Sequence, residues 1–139
     1  MLCTGEKGVG ELSEKPLHFK GSRFHRITAG TSVQGGDLEF ANGGGGESVW
    51  GGEFEDESLE GKHSAGTLSM ANKGQHTNTS QFFVCATDEA GAEMDGEHCV
   101  FGRVVEGFEV VAKLEAVEVD EDEADLPTVP CTIANCGLL

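Results

Sequence analysis

Four short runs carry the side chains that could do chemistry: residues 24–27, 33–37, 69–72 and 80–83. The first run contains Arg26, one of only three arginines in the chain. A guanidinium stays charged at ordinary pH and donates several hydrogen bonds, so it can stabilise a localised electron pair without transferring a proton. The other runs supply amide side chains and aromatic rings, which are the groups that hold a small ligand in a groove.

A small, glycine-rich domain must position these runs. At 139 residues, with 37% hydrophobic and 24% charged residues, the chain has the size and composition of one globular domain. Twenty-one glycines against three prolines, with short β-branched runs between them, predict a mainly β architecture. An apolar stripe over residues 107–117 predicts one amphipathic helix. Apolar or alternating patterns predict strands at residues 24–27, 67–71, 81–86, 99–105 and 129–134.

The charge of the chain argues against a nucleic-acid partner. Nine basic residues stand against twenty-five acidic ones, which gives a formal net charge of -16 and no cationic stripe for a phosphate backbone. No stretch approaches the roughly 18 apolar residues of a membrane span, and the first residues lack the pattern of a signal peptide. These features predict a cytoplasmic protein that binds neither nucleic acid nor membrane.

Two low-complexity segments admit more than one function. The four glycines at 43–46 could form a phosphate cradle, but no Lys-Ser or Lys-Thr follows them, which favours a flexible loop. The four acidic residues at 120–123 could bind calcium or a basic partner, but they lack alternating ligand spacing and a central glycine. A solvated, self-repelling loop is the favoured interpretation.

The order and spacing of the four runs resemble those of cyclophilins, the peptidyl-prolyl cis/trans isomerases. Residues 2–8, 94–96, 100–102 and 133–137 carry the same resemblance, which extends over nearly the whole chain. It implies a closed antiparallel β-barrel with capping helices, in a single isomerase domain over residues 1–139. Relative to that fold, we expect the chain to lack the first strand hairpin and first helix, which would leave a barrel edge unpaired.

The resemblance also implies a function. The protein is expected to accelerate rotation about X-Pro bonds, assisting protein folding, with proline-containing peptides and client proteins as partners. Arg26 takes the catalytic position, where its guanidinium would donate to the proline nitrogen in the twisted state. The alternative is an ordinary surface arginine in a salt bridge. The remaining groove positions of the family correspond to Thr31, Ser32, Gln34, Gly43, Ala71, Asn72, Gln75, Thr77, Gln81, Phe83, Met94 and His98.

Two departures from the family pattern weaken the expected groove. Thr31 and Ser32 stand where a phenylalanine and a methionine usually form one wall of the proline slot. Burying such a side chain is worth about 1.5–3 kcal/mol, so their loss predicts poor substrate affinity. Glu93 stands at the position of a tryptophan that contacts cyclosporin, and an anionic side chain there predicts weak cyclosporin binding at most.

The five cysteines form no CxxC pair and have no histidine pair nearby, so neither a metal nor another cofactor is expected. Cys3 and Cys136 occupy the positions of a cysteine pair in divergent-loop cyclophilins, whose insertion the segment 9–20 resembles. A redox-sensitive pair and two buried reduced thiols both remain open.

Three functions therefore remain: an isomerase with a weakened slot, a non-catalytic proline-peptide-binding or assembly module on the same scaffold, and a redox-responsive cyclophilin. Arg26 with Gln34, Phe83 and His98 favours the enzyme. The binding module is favoured by Thr31, Ser32, Glu93 and the absent N-terminal elements. The isomerase is the preferred interpretation.

Overall fold

The computed structural model describes residues Met1–Leu139. It contains six main strands, β1 (Arg23–Thr28), β2 (Ser32–Gly35), β3 (Thr67–Met70), β4 (Phe82–Cys85), β5 (Val100–Arg103) and β8 (Cys131–Thr132). They form one antiparallel sheet in the order β5-β3-β4-β2-β1-β8. A separate two-stranded sheet pairs β6 (Val119–Asp120) with β7 (Leu126–Pro127). The helices are α1 (Asp88–Glu93) and α2 (Phe108–Glu115).

One row of side chains crosses the sheet from β1 to β3. Arg26 of β1 is paired with Gln34 of β2. On the following strands Gln34 is paired with Phe83, and Phe83 is paired with Ser69. Residues that oppose each other across antiparallel strands share one face of the sheet. The strand register therefore brings the runs that the sequence singled out to the same surface.

The opposite face of these strands forms the hydrophobic core. Ile27, Val33 and Val84 each follow or precede a member of the row, so alternation along the strands turns them to the other side. All three are buried, and Val111 of α2 packs against them. A slip of one residue would exchange buried and groove-facing side chains, so this core holds the register on which the groove depends.

Most of the predicted elements are confirmed, and the structure adds β2, α1, the β6-β7 pair and a 3-10 turn at Glu121–Glu123. Each predicted strand overlaps an observed strand, and the predicted helix is present as α2. α1 has six residues, too few to show a helical period, and is capped by Thr87, whose side chain accepts a hydrogen bond from the Ala90 N–H. β2 has only Val33 as an apolar side chain, so no strand pattern marks it. Neither helix has the length and apolar character needed to cross a membrane.

The predicted closed barrel is not observed. β5 and β8 end the sheet on its two sides and are not hydrogen-bonded to each other. A barrel whose interior is filled by side chains needs about eight strands, and six do not bring the sheet round to meet itself. The mainly β, antiparallel architecture is confirmed, and its closure is corrected to an open sheet.

Candidate active site

A cavity of about 620 Å³ lies over the row of side chains that begins at Arg26. Strands β1, β2 and β4 form its floor, and the glycine segment (residues 43–46) and residues 71–73 contribute to its walls. All but two of the predicted groove residues line it, namely Arg26, Thr31, Ser32, Gln34, Gly43, Ala71, Asn72, Gln81, Phe83, Met94 and His98. The structure thus brings together residues from four separate parts of the chain.

The two predicted residues outside this cavity are Gln75 and Thr77. Gln75 lines an adjoining cavity of about 640 Å³, which shares Asn72 and His98 with the first. Thr77 shapes a turn, because its Oγ1 donates to the Gly74 carbonyl at 2.7 Å and accepts from the Lys73 N–H at 2.8 Å. Gln75 is placed for an extended ligand, whereas Thr77 acts on the wall that carries Lys73.

Arg26 reaches the cavity from β1. A register shift lies between Phe24 and Arg26 in the pairing with β2, so the regular ladder is interrupted just before the arginine. Its side chain is 53% exposed, and its Nε lies 3.7 Å from Oδ2 of Asp125. The salt bridge that the sequence left as an alternative is therefore present, on an arginine that also lines the cavity.

The apolar part of the cavity is small. Ala71, Phe83 and Met94 are the only hydrophobic residues among its twenty lining residues. The ring of Phe83 is buried and meets the imidazole of His98 edge to face, with ring centres 5.1 Å apart. Nδ1 of His98 donates to the Met70 carbonyl at 3.0 Å, which holds this imidazole at the rim. A short apolar slot results, and the polar residues Thr31 and Ser32 line the same cavity.

The polar wall is held by Gln81. Its Nε2 donates to the carbonyls of Gly43 and Gly45, at 3.0 and 2.6 Å. Its Oε1 accepts a hydrogen bond of 2.9 Å from Nε2 of Gln34. The side chain of Gln81 therefore links the glycine segment to the cavity floor by hydrogen bonds. Gln34 is the amide left to bind a ligand.

Asp37 organises the glycine segment from below. Its buried carboxylate accepts backbone N–H bonds from residues 39, 40, 42, 43 and 45. Burial opposes ionisation, but these backbone bonds outweigh it and lower the pKa of Asp37 below its ordinary value. Hydrogen bonds thus fix a segment for which the sequence favoured a flexible loop. An aspartate just before a polar, glycine-rich stretch is the signal that indicates this role.

His25 lies beneath the same wall. It is buried, and neither ring nitrogen has a hydrogen-bond partner. Burial lowers the pKa of His25, and the nearby carboxylate of Asp37 does not compensate. The imidazole is therefore neutral at physiological pH and contributes no charge to the cavity.

A polar network around the buried His63, which the sequence analysis missed, supports Phe83 from behind. His63 accepts or donates at both ring nitrogens, with Oγ of Ser69 at 2.9 Å and Oδ1 of Asp95 at 3.0 Å. Its ring is stacked on Phe83 with centres 6.1 Å apart. Lys62 Nζ lies 3.0 Å from the other oxygen of Asp95. Asp95 directly follows Met94, so the polar network connects Phe83 with Met94, two residues of the apolar slot.

Asp95 gives this network a pH dependence. The backbone N–H of His63, then its imidazole and Lys62, lower the pKa of Asp95 from 3.8 to about 2. A lowered folded-state pKa contributes stability above the unfolded-state value, and that stability is lost as the pH falls from about 4 towards 2. We expect the wild type to lose stability over this range more steeply than Asp95→Asn in urea unfolding followed by fluorescence. Parallel pH profiles for the two proteins would contradict the role given to Asp95.

Glu93 and the two cysteines lie outside the cavity. Glu93 is the exposed last residue of α1, next to Met94, and its side chain does not line the cavity. Cys3 and Cys136 are half-buried free thiols. The carbonyl of Cys3 accepts a hydrogen bond of 3.2 Å from Nε2 of His18, which connects this cysteine to the end of the segment 9–20.

Comparison with known proteins identifies the family of the chain. A family model described as cyclophilin type peptidyl-prolyl cis-trans isomerase/CLD matches residues 2–138. A Rhizopus delemar protein named peptidyl-prolyl cis-trans isomerase cyp11 is 52% identical over 139 residues, which cover 99% of this chain and 40% of that relative. The chain belongs to the cyclophilin-type peptidyl-prolyl cis-trans isomerase family. It spans about 40% of the length of the curated relative it matches.

Proposed function

We propose that this protein is a peptidyl-prolyl cis/trans isomerase that acts on X-Pro bonds and assists protein folding. The observation that carries the proposal is the placement of Arg26, Gln34 and Phe83 side by side over one cavity. This set combines a permanent cation, a polar amide and an apolar ring, which are the groups needed to bind a prolyl peptide. Family membership over residues 2–138 agrees with it.

The chemistry needs no proton transfer and no cofactor. Peptide rotation meets a barrier of about 18–20 kcal/mol because the nitrogen lone pair is delocalised into the carbonyl. In the twisted state the lone pair returns to the proline nitrogen, where the guanidinium of Arg26 donates to it. Phe83, Met94 and His98 hold the ring, and Gln34 and Asn72 bind the peptide backbone.

The partners follow from the same groove. Proline-containing peptides and exposed segments of client proteins are the substrates, and the charge of -16 disfavours nucleic acid. The proposal places the protein in the cytoplasm and treats residues 1–139 as one isomerase domain.

Catalysis is tested directly by exchange spectroscopy. The protein is added at catalytic concentration to an Ala-Pro peptide, and cis/trans exchange of the proline signals is measured by NMR. The expected result is exchange faster than in the peptide alone, abolished by heat denaturation of the protein. Peptide binding without faster exchange would instead support a non-catalytic binding module. The polar character of the cavity, with three apolar residues among twenty, favours that second candidate.

Cyclosporin binding offers a separate test of the groove rim. We expect weak binding by the unmodified protein, and tighter binding by Glu93→Trp, because an indole adds apolar area and an N–H donor where Glu93 is charged. Titration calorimetry measures both affinities, with Glu89→Trp on the same helix as the matched control. Tight binding before substitution would show that another residue takes the drug-contacting position.

The cysteine pair is the basis of a regulatory proposal. Oxidation is expected to join Cys3 to Cys136 and lower activity by pulling on the segment 9–20, to which Cys3 is linked through His18. Peptide mapping after mild oxidation identifies the linkage, and Cys3→Ser should keep full activity under the same treatment. Recovery of other cysteine pairs without this one would refute the proposal.

A further inference from the structure

Asp125 is the acidic residue that contacts Arg26. Its Oδ2 lies 3.7 Å from Nε of the arginine, and its side chain is 27% exposed, against 53% for Arg26. The four acidic residues at 120–123 do not share this contact. Oδ1 of Asp120 instead accepts a hydrogen bond of 3.0 Å from the N–H of Asp122. Asp125 therefore differs from the acidic residues before it, because it lies against an arginine that lines the cavity.

Asp125 is itself anchored to the strand that carries Arg26. The hydroxyl of Thr28 donates to Oδ2 of Asp125 at 2.8 Å. The backbone N–H of Ile27 donates to the Asp125 carbonyl at 3.0 Å. Two bonds to consecutive residues of β1 thus hold both the side chain and the backbone of this aspartate beside the arginine.

The backbone before β7 is shaped to make this contact. Ala124 and Asp125 both have left-handed conformations, with φ of 55° and 60°. L-residues other than glycine occupy that region sparingly, and two in succession turn the chain sharply. The turn brings Asp125 against β1 just before Leu126–Pro127 forms β7. Such a conformation persists where surrounding contacts hold it, and here those contacts are to β1.

Asp125 approaches the guanidinium of Arg26 from its Nε side, which is distinct from the side that carries the terminal nitrogens. Asp125 faces Nε, while Arg26 also lines the cavity. A guanidinium carries five N–H donors in one plane, so a carboxylate on the Nε side leaves the terminal N–H groups for a ligand. Half-exposed arginines otherwise sample several rotamers, and each misplaced rotamer removes the donor from the reacting bond.

We propose that Asp125 is a positioning residue that orients Arg26 towards the proline nitrogen, an inference that rests on the proposed isomerase function. The carboxylate acts through the arginine and does not touch the substrate. It should therefore support kcat more than KM, because the oriented guanidinium is needed in the twisted state and not for capture of the ring.

The test compares Asp125→Asn with the matched control Asp120→Asn, using an uncharged prolyl peptide. Asp125→Asn should lower kcat by about two- to fivefold with KM nearly unchanged, the range expected for a partly exposed ion pair. Asp120→Asn should behave as the wild type. In the Arg26→Ala background, Asp125→Asn should have no further effect, because the residue acts only through the arginine.

A spectroscopic measurement needs no variant. The Nε–Hε resonance of Arg26 should be sharp at low salt and should broaden or shift between about 0.01 and 0.5 M salt, as the partly exposed ion pair is screened. A salt-insensitive resonance would overturn the proposal even if Asp125→Asn failed to fold. An unchanged or raised kcat in folded Asp125→Asn would also overturn it. If Arg26→Ala itself kept full activity, the assignment of Arg26 would fail instead.

Discussion

Replacing Arg26 by alanine is expected to lower kcat/KM for X-Pro isomerisation by about 10- to 150-fold. The range corresponds to a charge-assisted hydrogen bond worth about 1.5–3 kcal/mol, made mainly in the twisted state. The loss should fall chiefly on kcat, because no ground-state lone pair is available for the guanidinium. Steady-state kinetics by a protease-coupled assay, with exchange spectroscopy as a second method, measures both constants.

Arg103→Ala is the matched control for this substitution. Arg103 is an exposed strand arginine on β5 and does not line the cavity. It should keep the wild-type kcat/KM, which separates loss of the catalytic donor from loss of one surface charge. Equal activity of Arg26→Ala and the wild type would remove the isomerase assignment of Arg26 and favour the binding module.

The double substitution Thr31→Phe with Ser32→Met is expected to lower KM by about tenfold to several hundredfold, with little change in kcat. Each added side chain would bury apolar area against the proline ring, worth about 1.5–3 kcal/mol when burial is complete. Thr31 and Ser32 are half-buried, so only part of that value is expected. Ring burial stabilises the ground and twisted states alike, which is why the effect belongs to KM.

The matched control for the Thr31→Phe and Ser32→Met substitutions is the double variant Thr31→Ala with Ser32→Ala. It removes both hydroxyls without adding a ring contact, so KM should stay near that of the wild type. An equal improvement in the alanine protein would mean that the hydroxyls hinder binding and that apolar area is not the cause. No improvement in either protein would show that the proline ring binds elsewhere in the cavity.

The sequence predicted the groove better than it predicted the parts that hold the groove. Arg26, Gln34 and Phe83 stand in short local runs, and strand pairing then places them together, so local pattern was sufficient. Asp125 contacts a residue 99 positions earlier in the chain, through a turn that depends on left-handed backbone. No period or local motif encodes such a contact. The acidic run at 120–123 pointed to solvent, and its residues are exposed, whereas Asp125 lies two residues beyond that run.

Local sequence patterns also failed to predict whether the sheet closes and how the polar network around His63 forms. A barrel and an open sheet share the same alternation along each strand, so alternation cannot show whether the outer strands meet. His63 is one polar residue within a glycine-rich stretch, and its bonds to Ser69 and Asp95 appear only after β3 and the end of α1 are placed. Burial of a histidine depends on tertiary neighbours, which a single chain segment does not reveal.

The hydrogen bonds of Gln81 determine which atoms of the polar wall donate and which accept. Backbone carbonyls of Gly43 and Gly45 can only accept, so they use both hydrogens of the Gln81 amide. The Gln81 oxygen must then accept from Gln34. Gln34 is left with its Oε1 and one N–H of its amide outside these bonds, so it can accept from or donate to a peptide in the groove. Two glycine carbonyls thereby determine which atoms of the Gln34 amide remain for a substrate, although neither carbonyl needs to touch it.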